Sequence, residues 1–283
     1  MISERLKGLV ALALAEDVGH GDATSLATIS ADATATGRIV ARSPLVVSGI
    51  EAAEAVFKAV DPECVFTVMA GDGQSIAADA VIATVSGRAR ALLTAERTAL
   101  NFLQHLSGIA TMTARYVAEI SGTGARIVDT RKTVPGLRDL AKAAVRHGGG
   151  RNHRVALDDG ILIKDNHVVT AGGIARAILS ARSNGGYLLR VEVECDTLQQ
   201  VSDAIDAGAD MILLDNMAPD ALRAAVTLCR RRAQTEASGG VSLSTVRSIA
   251  ETGVDFISVG ALTHSAPAAD IALDFDAEAR GTP

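Results

Sequence analysis

From Arg126 onward the chain repeats one pattern six times: a short apolar run that ends in a polar or small residue, then a stretch with helical spacing. The runs are Ile127-Val128 into Asp129-Thr130-Arg131-Lys132, Ile161–Ile163 into Lys164-Asp165-Asn166, Leu188–Val193 into Glu194, Met211–Leu214 into Asp215-Asn216, Glu236-Ala237 into Ser238-Gly239-Gly240, and Phe256–Val259 into Gly260-Ala261. Helix candidates lie at Leu137–His147, Gly172–Ser183, Leu198–Ala207, Pro219–Arg231 and Ser244–Thr252. Short apolar runs of this kind suit strands buried on both faces, and repeated strand-then-helix order implies a parallel sheet with right-handed crossovers. The dinucleotide glycine fingerprint is missing, so the pattern predicts closure into an α/β barrel over an open doubly wound sheet. In such barrels the site lies at the C-terminal strand ends, where these polar residues fall.

A chain of 283 residues has length for one large α/β domain, or for one with a smaller companion. Aromatic residues make up 2% and Trp is absent, so the core must be aliphatic. A net charge of -6 argues against nucleic acid as the main partner, since a phosphate-backbone binder needs a broad basic face. Cys64, Cys195 and Cys229 are odd in number, far apart and without C-x-x-C spacing, so neither a disulfide framework nor a zinc site is expected. Reduced thiols and a cytoplasmic location follow as the expectation. The apolar run Leu9–Ala15 leads into Glu16-Asp17 with no cleavage site and is too short to span a bilayer. It reads as a helix with Ile2, Leu6, Leu9, Val10 and Ala13 on one face.

The polar stretch Glu16–Thr24 reads as a turn. Short β runs follow at Arg38–Ala41, Leu45–Ser48, Cys64–Met69 and Val81–Val85, with a helix at Gly49–Val60 and a turn at Gly71-Asp72-Gly73, which together predict an α+β module. Thr94 is the expected N-cap of a long helix with the apolar stripe Leu100, Leu103, Leu106 and Ala110, bent or interrupted at Ser107-Gly108. Spacing alone makes Arg97 a surface residue of that helix.

The stretch Asp129–His167 concentrates positive charge. Its Lys and Arg are Arg131, Lys132, Arg138, Lys142, Arg146, Arg151, Arg154 and Lys164, eight against five Asp, or +3 net. Arg131-Lys132 and Lys164 follow apolar runs, so they sit at strand ends, and the cluster predicts a pocket for a small polyanion bearing carboxylates, phosphates or both. Arg138, Lys142 and Arg146 read as a solvated helix face. His147, His153 and His167 add donors that titrate near neutrality. Glu194 and Asp215, at successive strand ends, are carboxylates suited to Mg²⁺, ribose hydroxyls or both. Each has a plain structural reading as well: Glu194 as an ion-pair partner of Lys132 or Lys164, and Asp215 as a helix N-cap. The glycine-bearing loops Ser238–Gly240 and Val259–Ala261 each precede a helix, where free backbone N–H groups favour a phosphate. A phosphorylated sugar with an anionic co-substrate suits the whole set. Two other readings stay open at this point. One is a Schiff-base aldolase using Lys132 or Lys164, although neither lies in an isolated apolar setting that would lower an amine pKa. The other is a non-catalytic phosphosugar-binding protein.

The segments DTRKTVPGLR, GGGRNHR, LIKDNH, EVEC, LLDNM, EASGG and ISVGALTHSAPAADIALDF, with LTAERTALNFLQHLSGIAT and EDVGHGDATS, resemble quinolinate phosphoribosyltransferases over nearly the whole chain. The resemblance implies an N-terminal α/β sandwich over residues 1–110, joined by the C-terminal segment 268–283, and an incomplete, roughly seven-stranded parallel α/β barrel over 111–267. It implies a homodimer, with possible higher assembly, whose site is completed by the partner. The implied reaction joins quinolinate to phosphoribosyl pyrophosphate with Mg²⁺, giving nicotinate mononucleotide, pyrophosphate and CO₂ in NAD synthesis. Arg131, His153, Arg154 and Lys164 would hold the quinolinate carboxylates, with Thr130 beside them, and Arg97 would reach the same ligand from the other subunit. Lys132 would face the pyrophosphate, and Glu194 and Asp215 the ribose and metal. Ser238, Gly239 and Gly240 with Val259, Gly260 and Ala261 would take the 5′-phosphate, close to His264. Lys132, Lys164, Glu194 and Asp215 form the implied catalytic set. Arg151 departs from the family pattern, which has a small apolar residue there, and is expected to add positive charge beside the pocket. A same-fold relative that uses another anionic aromatic acid, such as those associated with molybdenum transport, is the nearest alternative.

Overall fold

The computed structural model describes residues 3–230 and 232–275, which divide into two compact units. The first takes in the chain up to Met112, the segment Arg146–Gly149 and the chain from Ala266 onward; the second takes in Thr113–Val145 and Gly150–Ser265. Sequence reading assigns Arg146–Gly149 to the barrel, whereas it groups with the first unit, where Ser48 Oγ and His147 Nδ1 lie 2.9 Å apart. Among the described residues no helix is long and apolar enough to cross a membrane.

In the first unit, α1 (Glu4–Val18) is capped by Ser3 and buries Leu6 and Val10; Ile2 of the expected face lies outside the described residues. The turn expected over Glu16–Thr24 instead runs into α2 (Ala23–Thr28), because the Asp22 side chain accepts the Ser25 N–H and starts a helix. The elements β1 (Thr34–Ala41), β2 (Leu45–Val46), α3 (Ile50–Val60), β3 (Val65–Val68), β4 (Ser75–Ile76), β5 (Val81–Arg88) and α4 (Ala89–Glu119) follow, with α4 counted in this unit as far as Met112. The main sheet has the order final strand (Ile271–Phe275), β1, β5, β3, all antiparallel, with Ala41 opposite Ile271 and Gly37 opposite Phe275. The last eight residues of the segment expected to join this unit lie outside the described residues.

Two details of α4 differ from expectation. It starts at Ala89, so Thr94 is inside the helix, where its hydroxyl donates to Arg90 O at 2.8 Å rather than capping. Ser107-Gly108 does not interrupt it. A Cβ on Gly108 would stand 2.1 Å from the Pro267 carbonyl oxygen, so this glycine admits a crossing backbone while the helix continues.

The second unit is a six-stranded parallel sheet built from β6 (Arg126–Val128), β7 (Ile161–Ile163), β8 (Val191–Cys195), β9 (Met211–Asp215), β10 (Gln234–Ser238) and β11 (Phe256–Ser258). Its order is β6-β11-β10-β9-β8-β7, the order of a barrel left open between its first two strands. The helices α5 (Arg138–His147), α6 (Asp165–Ala171), α7 (Ile174–Asn184), α8 (Leu198–Asp206), α9 (Pro219–Cys229), α10 (Val246–Ala250) and α11 (Ala261–His264) connect the strands. The core is aliphatic, as the scarcity of aromatics requires: Val193, Ile212, Leu214 and Ile257 are fully buried on the strands, and Ile178, Val201 and Ala225 on the helices. At α8 the Thr197 and Gln200 side chains form a capping box that stops the chain after β8 from continuing as strand.

Six strands stand where roughly seven were expected. Next to β6 the chain makes an isolated parallel bridge instead, Val128 to Arg151, with Arg151 N–H donating to Ile127 O at 2.9 Å and Asp129 N–H to Arg151 O at 3.2 Å. The Arg154 guanidinium then donates to Gly160 O at 2.9 Å, just ahead of β7. Residues 151–154 therefore fill the seam of the open barrel. β8 begins three residues later than expected: Leu188 is 77% exposed in a turn closed by Leu189 N–H to Gly186 O, so its apolar character does not make it strand. α9 ends at Cys229, where Arg230 takes a left-handed conformation (φ 42°); Arg231 of the expected helix lies outside the described residues.

Candidate active site

At the C-terminal ends of the strands lies a cavity of about 290 Å³ whose lining includes Thr130, Arg131, Lys132, His153, Arg154 and Lys164. Four cations on three separate segments thus converge as the strand-end argument predicts. The Arg131 Nε is buried without a hydrogen-bond partner among the described residues, a donor left ready for an anion. Burial, and after it the Arg131 charge, hold the Arg154 guanidinium below its ordinary pKa, and an anion between the two guanidiniums would favour both charges. Lys164 donates to Glu194 Oε2 at 2.6 Å. The Lys164 backbone N–H donates to His167 Nδ1 at 3.0 Å, which turns that exposed ring back to the start of α6.

Beneath the cations two buried groups of side chains appear that sequence reasoning missed. Lys142, expected on a solvated face, is 1% exposed, and its ammonium lies 2.5 Å from Asp129 Oδ1, which is fully buried. Burial drives Lys142 down and Asp129 up in pKa, and their mutual contact opposes both shifts. The second group joins His153 to Glu192 and Glu236. His153 Nε2 lies 2.9 Å from Glu192 Oε2 and 3.7 Å from Glu236 Oε2, while its Nδ1 accepts the Arg154 N–H at 2.8 Å. Burial opposes charging of this imidazole, but the Glu192 hydrogen bond and the nearby carboxylates outweigh it and leave its pKa raised. Both ring nitrogens are engaged, so His153 faces the ligand only by giving up a partner. Burial, reinforced by the Glu192 charge, pushes Glu236 up to about 8. Strand alternation could have found this pair, since residues two apart share a face: Glu192 points inward with Glu194, and Glu236 with Ser238. The three ligand atoms lie within 4.8 Å of one another, so the group has the donors for a cation as well as for a shared proton.

The carboxylates assigned to metal and ribose lie on adjacent strands. Glu194 is half-buried and held by Lys164, as its plain structural reading anticipates. Asp215 is no N-cap, since Ala218 occupies that position on α9; its Oδ2 accepts from Asn216 Nδ2 at 2.5 Å. Among the described residues these bonds engage Glu194 Oε2 and Asp215 Oδ2 and leave the second oxygen of each carboxylate for a hard divalent cation or sugar hydroxyls. Ser238 lines the cation cavity and pairs in register with Asp215. Gly239 (φ 93°) and Gly240 (φ 60°) turn left-handed beyond it, and a Cβ on Gly239 would stand 2.1 Å from Asn216 Oδ1, so the backbone here approaches as closely as glycine permits. This loop does not open directly onto α10, which starts six residues after Gly240.

Gly260 and Ala261 lead straight into α11. Val259 is core, 1% exposed, with its N–H donated to Val128 O at 3.0 Å, so it offers a ligand neither side chain nor amide. Thr263 Oγ1 donates to Lys132 O at 2.8 Å, which brings Lys132, Gly260 and the exposed His264 into one neighbourhood. Arg97 is exposed on α4, in the first unit. Arg151 does not line the cation cavity. Its backbone is tied to β6, and it lines an adjoining cavity of about 360 Å³ that shares His153, Arg154 and Glu236 with the first and reaches Arg190, Met211 and Phe256 at the starts of the strands.

The family description "quinolinate phosphoribosyl transferase, C-terminal domain" matches residues 109–274, and its N-terminal counterpart matches residues 22–107. The chain is 44% identical over 263 residues to the probable nicotinate-nucleotide pyrophosphorylase (carboxylating) of Synechocystis sp., covering 92% of this chain and 89% of that one. It is also 44% identical over 268 residues to the nicotinate-nucleotide pyrophosphorylase (carboxylating) of Mycobacterium leprae, covering 93% and 94% of the two. The solved structure of the nicotinate-nucleotide pyrophosphorylase from Francisella tularensis superposes with a TM-score of 0.92 at 39% identity, covering 98% of each chain. The chain belongs to the quinolinate phosphoribosyltransferase family.

Proposed function

We propose that this protein transfers the phosphoribosyl group of phosphoribosyl pyrophosphate to quinolinate with loss of CO₂, yielding nicotinate mononucleotide and pyrophosphate for NAD synthesis. The observation that carries the reading is the cavity in which Arg131, Lys132, Arg154 and Lys164 converge with a buried, unpartnered Arg131 Nε. Quinolinate is a planar dianion, and two guanidinium forks beside an ammonium match its carboxylates. The pyridine nitrogen attacks the anomeric carbon as the bond to pyrophosphate breaks. Glu194 and Asp215 face the positive charge that builds on the sugar, and Lys132 faces the departing pyrophosphate. The carbon–carboxylate bond next to the ring nitrogen then breaks. Its electron pair stays on the ring carbon, steadied by the now cationic ring nitrogen and the surrounding cations, and a proton from solvent completes the product.

Mg²⁺ would be held through Glu194 and Asp215 together with the substrate's own phosphates, and when bound it neutralises pyrophosphate charge. Ser238–Gly240 and Gly260-Ala261 take the 5′-phosphate through backbone amides. The working enzyme is a cytoplasmic homodimer, with Arg97 of each subunit serving the other's quinolinate site, and its substrates are small anions rather than nucleic acid or membrane. The test is stoichiometric: CO₂ and pyrophosphate released one for one with quinolinate consumed, and no turnover with nicotinate. Turnover of another aromatic acid in preference to quinolinate would move the protein to a different acceptor within the same fold, and binding without turnover would make it a phosphosugar-binding protein.

A further inference from the structure

The two arginine-bearing segments of the pocket, Thr130–Lys132 and Asn152–Arg154, meet on a single buried ion pair. Asp129 Oδ1 accepts from Lys142 Nζ at 2.5 Å and from the His153 N–H at 2.9 Å, and Oδ2 accepts from Asn152 Nδ2 at 2.5 Å. Lys142 Nζ donates to His153 O at 2.9 Å, and Asn152 Nδ2 also reaches Lys142 O at 2.9 Å. The pair thus holds both the donor and the acceptor of the His153 backbone, while Asp129 is joined through the chain to Arg131. We infer that Asp129–Lys142 is the positioning element of the acceptor pocket: it sets the two segments in register so that Arg131 and Arg154 grip one dianion. This inference rests on the reading of Arg131 and Arg154 as quinolinate ligands.

Stability alone does not account for such a pair. A buried ion pair replaced by packed hydrocarbon is often no less stable, and Lys142 sits on α5 among Ala141, Ala144 and Val145, all buried, where an aliphatic side chain would pack. What hydrocarbon lacks is the geometry. Residues 151–154 are not a strand of the sheet, since a single bridge at Arg151 ties them to β6, so sheet hydrogen bonding cannot place His153 and Arg154. Arg131 and Arg154 also repel one another by like charge, and the pair fixes the chain close to each, at Asp129 and at the His153 backbone. Displacing a ligand-binding group by about 1 Å can cost on the order of 100-fold, so register at this seam matters.

The test is calorimetric titration of quinolinate and of Mg²⁺–phosphoribosyl pyrophosphate into the wild-type protein and into Arg154→Ala, Lys142→Met, Asp129→Asn/Lys142→Met and Arg154→Ala/Lys142→Met, each below its measured unfolding temperature. Lys142→Met should weaken quinolinate by about tenfold or more while phosphoribosyl pyrophosphate shifts by less than about threefold. Because Lys142 acts largely through the segment that carries Arg154, combining Lys142→Met with Arg154→Ala should weaken quinolinate by much less than the product of the single effects. Should Lys142→Met fail to fold with Asp129 left unpaired, the Asp129→Asn/Lys142→Met variant removes both charges and carries the same expectation. Quinolinate affinity within about threefold of wild type in that variant, or single effects that multiply in full, would overturn the inference while leaving the pocket intact. No effect of Arg154→Ala on quinolinate would overturn the pocket reading, and the inference with it.

Discussion

Glu236 gives the sharpest physical prediction. Its carboxyl is 1% exposed on β10, one oxygen has no partner among the described residues, and the groups that face it are Glu192, His153, Asp129 and the Ser258 hydroxyl. Burial first, and then the Glu192 charge, raise it from an ordinary 4.5 to about 8. A carboxyl raised in the folded state binds its proton there more tightly than in the unfolded chain. Stability from this group is therefore fully present below about pH 4.5, declines as pH rises, and is gone above about pH 8. From about pH 6 to pH 8 the loss amounts to roughly 2 kcal/mol, or a fall of about 4–8 °C in the thermal midpoint. Glu236→Gln is neutral throughout and matches the protonated form in shape. It should unfold close to wild type at pH 6 and above it at pH 8, as read by scanning calorimetry of both proteins in matched buffers. Parallel midpoint curves across that range, or a gap that narrows as pH rises, would show that Glu236 is ionised in the folded protein and that the cluster is not held together by a proton.

Arg131→Ala and Arg154→Ala should each weaken quinolinate by about 10- to 150-fold, the equivalent of about 1.5–3 kcal/mol for a charge-assisted hydrogen bond, with far less effect on phosphoribosyl pyrophosphate. Equal losses for both substrates in titration calorimetry contradict the assignment. Asp215→Asn and Glu194→Gln should lower turnover with little change in quinolinate affinity; wild-type turnover of Asp215→Asn across a Mg²⁺ titration rules out its ribose and metal role. Cys195 and Cys229 are buried, which pushes their thiols up to about 12 and about 11, and burial raises Cys64 as well. Native protein should therefore show no fast thiol in a disulfide-exchange assay, with all three appearing on denaturation. If Arg97 acts across a dimer, mixing inactive Arg97→Ala and Lys164→Ala proteins under subunit exchange should restore up to about a quarter of wild-type activity, since half the dimers are mixed and each has one intact site. No recovery, with exchange verified by mass, places Arg97 elsewhere.

The periodic patterns were legible in the chain because they depend on near neighbours. Apolar runs ending in polar residues locate the six parallel strands of the described residues and put Arg131, Lys132 and Lys164 just beyond strand ends, since the strand period and the parallel crossover rule are local properties. Caps and close approaches were less legible. Whether Thr94 caps a helix or rides inside it depends on the five residues before it, and Gly108 keeps its place because of a backbone crossing 159 positions later at Pro267.

Which charged residues lose their water was decided by the tertiary structure. Lys142 carries the same helical spacing as Arg138 and Arg146, yet it alone of the three is buried, because α5 turns that side toward Asp129 and residues 152–153. Glu192 and Glu236 are separated by more than forty residues of sequence and meet at His153, which reaches them from a segment outside the sheet. Sequence alone determined the repeat, the aliphatic core and the sign of charge at the strand ends. The partners of each buried charge were decided by long-range packing, since desolvation and Coulomb energy depend on distances that no local pattern contains.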